Sequence, residues 1–553
     1  MKNNIKKWIY MLGLMGGTMA TFSACTNLDE TLYDELDQEG YYNNKLETLS
    51  AVLRPYTHAQ AWATPGRNGW WRLSEYAADQ LAWPQKGQHG FDGGNWIRLH
   101  HHTWTADEET LNEAWLLAFG GVGYCTNPIE NLESREAASM GITEEERLAY
   151  IGELKLFRAF HYLRIMDLWG NVPIATETNK TPEPTNPPTN SRQEVFEFIE
   201  KEILENVENV PLLSKEMTGR VSRAAGYAML VELYLNAEVW TGTPRWDDCI
   251  AAADKLLTGT AGGQNGTMQL DVNITDAFKP DNHLSKEVIF AIATEFQNST
   301  TQPQWPSEFF YFNHRDINGG GRNGNNGAVV IPGVFSTFAD TDLRKKEWML
   351  FGPQMMFSDP TKPVLGSSDE YAGRPVIFVD NIRRNSVAAA NGTDPEQLPS
   401  NMTTGEGNSG VRFNKYRIGN LAHPSYNSTD WNVYRLTWIN FAKAEAIMRR
   451  AGGAANADAV ELINASKQRS FAQGDRAGNL YTPATLTMDE LLAERGREFI
   501  FEGYRRQDLI RYGKLHTESW WDHQPSTAIR NLYPIPNRQR VLNPNLEQNE
   551  GYN

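Results

Sequence analysis

The chain has 553 residues, enough for one large domain or several ordinary ones, and 52 basic against 68 acidic residues give a formal net charge of −16. That balance argues against nucleic acid and anionic lipid as ligands and suits a neutral one. Three cysteines exclude a disulfide scaffold at this size, and no run beyond the N-terminus approaches the ~18 uncharged apolar residues that cross a bilayer.

Residues 1–24 read as a secretory signal peptide: Lys2, Lys6 and Lys7 precede an apolar, uncharged run over 8–22. That run is shorter than the ~20 residues a membrane span needs, so a removable signal is expected. It ends in Phe22-Ser23-Ala24-Cys25, which resembles a bacterial lipoprotein processing site, with Phe22 where such sites usually carry Leu. Cys25 is therefore expected to be the lipid anchor, because two or three acyl chains hold stably where one holds marginally. The alternative is an ordinary signal peptide with an incidental cysteine. Residues 25–44 read as a polar, acidic tether whose Asp29, Glu30, Asp34 and Glu35 resemble an acidic signal for export to the outer face.

Helical patterning follows. Leu46, Leu49, Leu53 and Tyr56 share one face, and a second helix is predicted over 109–117. Over 149–169 the apolar stripe is wide enough to be packed on two sides, and Gly170 with Pro173 ends it. A proline-rich linker leads to Ser191-Arg-Gln-Glu194, a capping box. Residues 220–239 are rich in alanine, and Thr243-Pro244 is expected to start the next helix. A small-residue helix, a short turn and a second amphipathic helix resemble a tetratricopeptide unit, without a strict period. Residues 258–433 lose the periodicity and include the glycine-rich run 318–327. Helices return over 435–451, 458–469 and 487–501, the last opening with a second capping box at Thr487-Met-Asp-Glu490. The expected organisation is a single domain over 45–553, with a helical framework at 45–257 and 434–553 around a loop-rich insertion.

Four stretches carry a family resemblance: Arg158-Ala-Phe-His-Tyr-Leu-Arg-Ile-Met-Asp-Leu-Trp-Gly-Asn-Val-Pro-Ile174, Gly219-Arg-Val-Ser-Arg-Ala-Ala225, the run from Glu494-Arg-Gly-Arg-Glu498 to Gly513, and Tyr533-Pro-Ile-Pro536 with Asn543-Pro544 and Gln548-Asn549. In these the chain resembles the SusD/RagB outer-membrane nutrient-binding lipoproteins of Gram-negative gut and oral bacteria. It departs at Glu550, where Pro is usual, and at Lys467, where Arg is frequent. The resemblance implies an all-α fold of tetratricopeptide-like helix pairs forming a right-handed framework, with a loop-rich ligand-binding insertion. It further implies a surface location at the outer membrane, partnership with a SusC-like TonB-dependent transporter, oligosaccharide binding, no enzymatic activity and no cofactor.

Among the 17 Trp, 21 Tyr and 23 Phe, those placed among Gly, Gln, Asn and Asp suit a binding surface better than a core. The loop 83–96 supplies Trp83, Phe91, Asp92, Asn95 and Trp96, rings for the apolar face of a sugar and polar groups for its hydroxyls. Trp305 and Tyr311 form a second group, which in this family faces the same side. These seven residues are the expected glycan contacts. A flat aromatic platform leans toward β-glucans or hemicelluloses, and truncating Trp83 or Trp305 is expected to weaken binding without unfolding the chain.

Other candidates read as structural. Glu494, Glu498 and Glu502 lie at a spacing of four among arginines, which keeps them ionised and makes them an ion network rather than a glycosidase pair. Consecutive His100, His101 and His102 point different ways and do not make a metal site. Asp79, Asp92 and Asp107 lack calcium-loop spacing. Cys125 and Cys249 are expected as buried thiols. The competing functional readings are a secreted α-helical glycosidase and a helical scaffold that binds only proteins.

Overall fold

The computed structural model describes residues 41–66, 68–178, 186–294, 305–320, 323–367, 372–382, 399–417 and 428–552. Cys25 and the acidic residues of the tether lie outside them.

The first helix, α1 (Lys45–Trp62), is capped by the Asn44 side chain and buries Val52, Ala59 and Trp62. Short helices α2 (Trp70–Glu75) and α3 (Asn95–His100) flank the predicted binding loop. Helix α4 (Glu109–Ser134) runs far beyond the expected 109–117, passing Gly120, Gly121, Gly123 and Pro128 without a break. Local breaker signals lose here to burial, because Ala118, Val122, Cys125, Ile129 and Leu132 pack along one face.

Helix α5 (Glu144–Trp169) begins earlier than its apolar pattern suggests. Thr143 and Glu146 form a reciprocal capping box, and three glutamates occupy its first turn, where the helix dipole favours negative charge. From Tyr150 to Trp169 only Lys155 is not buried, which is the packing on several sides that its wide apolar stripe indicates. Gly170 ends it with φ +73°, and a Cβ there would strike Leu532.

The remaining framework is α6 (Arg192–Asn206), opened by the Ser191–Glu194 box, α7 (Arg223–Leu235) and α8 (Trp246–Leu257). Helix α8 starts after Thr243-Pro244, and its first turn is marked instead by Asp247 and Asp248. Then come α9 (Leu436–Arg450), α10 (Ala457–Lys467), α11 (Met488–Phe499) and α12 (Arg505–Arg511). Sequential helices pack side by side, α4 on α5, α5 on α6, α7 on α8 and α9 on α10, with α8 also against α9. This is the tetratricopeptide-like all-α arrangement. The C-terminal segment closes it: the Tyr533 N–H donates to Leu168 O at 2.8 Å, and Asn549 Nδ2 donates to Trp169 O and Tyr533 O.

Strands are short. β1 (Leu81–Ala82) and β3 (Val329–Val330) pair antiparallel and tie the loop after α2 to the insertion. β2 (Val288–Ile292) pairs antiparallel with β4 (Trp431–Arg435), Trp431 opposite Ile292 and Arg435 opposite Val288. The chain thus leaves and re-enters the framework at one ribbon, and the loop-rich residues lie between.

Three carboxylates of the α11 region clamp the insertion to the framework. Arg344 Nη2 forms an ion pair with Glu494 Oε1 at 2.8 Å, and Arg344 Nη1 donates to Glu498 Oε2 at 3.0 Å. Arg435 bridges Glu498 and Glu502, and Lys415 Nζ donates to Glu502 Oε1 at 2.6 Å. Lys467, at the position where the family favours Arg, donates to Glu494 at 2.6 Å. Burial opposes ionisation of Glu494, but Arg344, Arg497 and Lys467 outweigh it and hold the carboxyl far below its usual range. The partners differ from those nearest in sequence: apart from Arg497, the local arginines serve other acids, Arg505 on Asp79, Arg506 on Asp167, and Arg495 and Arg511 on Asp508.

Candidate functional site

The loop 83–96 is built in two layers. In the inner layer Trp83 and Trp96 lie 5.6 Å apart at 34°, both edge-on to Tyr76. The Arg72 guanidinium sits 5.3 Å from the Trp83 ring and 4.8 Å from the Trp96 ring. It is held there by Glu308, which accepts from Arg72 Nε at 2.9 Å and Nη2 at 2.5 Å and from the Tyr76 hydroxyl. A cation desolvated between two indoles and paired bidentately is a strong anchor.

The loop backbone is pinned as well. Lys86 is buried and its Nζ donates to Asn326 O at 2.7 Å and Gly327 O at 2.6 Å. Burial, with Arg412 nearby, pushes this ammonium well below its ordinary pKa. The Gln85 and Gly87 N–H groups donate to Met402 O and Gly405 O across the insertion. Part of the glycine-rich run packs directly on this layer: a Cβ on Gly327 would lie 2.3 Å from the Trp83 ring, and one on Gly324 would lie 2.1 Å from Phe310 O. Those glycines serve close approach.

The expectation that Trp83, Trp96, Trp305 and Tyr311 offer ring faces to solvent is corrected by burial. Trp83 and Trp96 are 6% and 4% exposed, and Trp305 and Tyr311 are fully enclosed. Trp305 sits among Phe310, Phe413, Tyr416 and Trp431, and Tyr311 packs edge-on to Phe378 with its hydroxyl 3.3 Å from Asn408 Oδ1. A glycine-rich sequence context does not keep an indole on the surface when a distant segment covers it. Accordingly, truncation of Trp83 or Trp305 removes core packing, contrary to the expectation of an intact fold.

Phe91 is 51% exposed at the loop's outer tip, beside exposed Asp92 and half-buried Asn95. Asp92 Oδ2 accepts from Trp96 Nε1 at 2.7 Å, and Asn95 Oδ1 accepts from Arg98 Nη2 at 2.8 Å. Asp92 is thereby tied to the inner layer, and Asn95 to Arg98. His89 on the same loop meets half-buried Phe312 edge-to-face at 5.4 Å, which joins the loop to the 305–320 segment. Sequence reasoning missed Arg72, Lys86 and Glu308, because no local pattern links residues more than 230 positions apart.

The other candidates disperse. His101 Nε2 lies 3.1 Å from Asp522, and His102 contacts Ser526 Oγ and Ala77 O. His100 packs against Trp521 and His523. Asp79 holds Arg505, and Asp107 accepts from Asn537 Nδ2. Cys125 and Cys249 are fully buried, and burial raises both thiol pKa values. Among the described residues no helix is long and apolar enough to cross a membrane.

Stacked helix pairs carrying an insertion with an aromatic-backed surface loop define a class of helical-repeat binding scaffold. The chain belongs to the SusD family. The SusD family profile matches residues 286–552, and a second, described as starch-binding associating with outer membrane, matches 42–235. The chain is 27% identical over 447 residues to the starch-binding protein SusD of Bacteroides thetaiotaomicron, covering 74% of each chain. It is 26% identical over 416 residues to the SusD-like protein P38 of Formosa agariphila, covering 73% of this chain and 74% of that one. Among solved structures, it superposes on the surface glycan-binding protein A of Bacteroides thetaiotaomicron in complex with laminarihexaose with a TM-score of 0.67 at 20% identity. That match covers 92% of this chain and 99% of the other. A SusD superfamily protein from Parabacteroides distasonis gives a TM-score of 0.68 at 18% identity, over 94% and 100%.

Proposed function

We propose that the chain is a non-catalytic, cell-surface glycan-binding lipoprotein, anchored to the outer membrane through Cys25. It captures neutral oligosaccharides or polysaccharide and delivers them to a SusC-like TonB-dependent transporter. The observation that carries this reading is the exposed Phe91, next to Asp92 and near Asn95 on a loop made rigid by the buried Trp83–Arg72–Trp96 stack. An apolar ring flanked by fixed hydrogen-bonding groups recognises a pyranose by its C–H face and its hydroxyls, and rigidity lowers the entropy lost on binding. The laminarihexaose complex of a structural neighbour supports the lean toward β-glucans, while the starch-binding relative keeps α-glucans in the panel. The glycosidase reading is disfavoured because the Glu494, Glu498 and Glu502 row is enclosed by cations, so no sugar reaches it.

Isothermal titration with laminarin, xyloglucan, cellohexaose and starch tests the proposal. Phe91→Ala is expected to weaken the tightest interaction about tenfold or more, at the ~1.4 kcal/mol scale of a single aromatic contact, with an unchanged melting curve. Trp83→Ala is the contrast: loss of a buried indole is expected to cost about 3–5 kcal/mol of stability. A chain that bound no glycan but took up another nutrient would overturn the reading.

A further inference from the structure

A second concavity lies on the framework, between α1 and α4, and shares no residue with the loop 83–96. It is a groove of about 780 Å3, within the ~300–1,000 Å3 of small-molecule sites. Its walls carry Tyr41, Tyr124, Ser50, Arg54 and Asn127, and its floor is opened by Gly123, where a Cβ would meet nothing within 4 Å. In a chain of net charge −16, none of the described residues named along this groove is acidic.

Arg54 is the informative residue. Its guanidinium lies 4.1 Å over the Tyr124 ring, with Nη1 donating to Thr57 Oγ1 at 3.0 Å, and His58 packs 4.7 Å from the same ring. Arg54 is exposed, and among the described residues no carboxylate lies within ion-pair distance of it. A planar guanidinium laid flat on an aromatic ring and already oriented by a hydroxyl is prepared to bind a carboxylate through its remaining N–H groups. Tyr42 adds a second observation. It adopts φ +72°, a conformation rare for a bulky residue, and this turn sets Tyr41 edge-on to Tyr42 at 5.3 Å on the groove wall.

We infer that this groove is a binding site for a carboxylate-bearing sugar unit of the uronic acid type. Arg54 would take the carboxylate, the half-buried Tyr41 and the exposed Tyr124 side chains the C–H face and ring hydroxyls, and Ser50 and Asn127 the remaining hydroxyls. The site is independent of the neutral-glycan reading of the Phe91 loop, so either can fail alone.

The test titrates galacturonic acid trimer and, separately, the neutral galactose trimer into the full soluble chain, read by saturation-transfer NMR and calorimetry. The acidic trimer is expected to bind, with affinity falling as salt rises, and the neutral trimer to bind at least tenfold more weakly. Arg54→Gln and the groove-filling Gly123→Trp are each expected to lower affinity for the acidic trimer at least tenfold, while Phe91→Ala leaves it unchanged. Both altered positions are exposed, and circular dichroism melting verifies their folding. The inference is overturned if the wild-type chain does not bind the acidic trimer, or if Arg54→Gln and Gly123→Trp bind it as the wild type does.

Discussion

Trp83 and Phe91 belong to one short loop and finish on opposite sides of it, one against Arg72 and Tyr76, the other in solvent. Both are aromatic residues among glycines, so the sequence reads them alike; the difference comes from distant Gly327, which packs on the Trp83 ring. Glu75 shows the same dependence on distant groups. It is completely buried at the end of α2, its Oε1 accepts from the Gly503 N–H at 2.6 Å, and desolvation raises its pKa to about 8. Because the folded-state value lies above the unfolded value near 4.5, the folded chain binds the extra proton between those limits, and stability falls as pH rises from about 5 to 8. Glu75→Gln carries no charge to bury, so its urea midpoint relative to wild type is expected to improve steadily from pH 5 to pH 8. A difference that stays flat with pH would contradict a protonated Glu75. The buried histidines act in the opposite sense at lower pH: His102 and His523, lowered by burial to about 3 and 4, withdraw stability as pH falls below about 6.5.

At the scale of elements, apolar periodicity located the long helices but not their ends. The stripe of α5 was readable from Leu154 onward, whereas its start is set by the Thr143–Glu146 box and a glutamate-rich turn with little apolar content. Thr143→Ala removes one side of that box and is expected to cost ~1 kcal/mol, measurable as a small fall in urea midpoint with binding unaffected. Helix α4 is the opposite case: glycines and a proline suggest an early stop, and packing against α1 and α5 carries the helix on to Ser134. Its glycines then acquire a use, since Gly121 faces the His161 ring and Gly123 opens the groove beside Tyr124.

For the whole molecule, the question is what holds a loop-rich insertion rigid enough to present a binding surface. The answer lies in Arg344, Lys415 and Arg435, which reach from the insertion and its closing ribbon to Glu494, Glu498 and Glu502 on the framework. Breaking such a buried pair strands the opposite charges, so Arg344→Met is expected to destabilise by about 3–5 kcal/mol, seen as a marked drop in urea midpoint. The same change at an exposed pair such as Lys45–Glu146 should be nearly silent. The sequence by itself determined the helical framework, its capping boxes, the glutamate row as an ion network and the family, because these depend on spacing within a few turns and on contiguous motifs. Only the tertiary structure decided which aromatics are surface and which are core, and which cations meet the glutamates. Those outcomes depend on burial by segments hundreds of residues away, and side-chain type at one position carries no record of what will cover it.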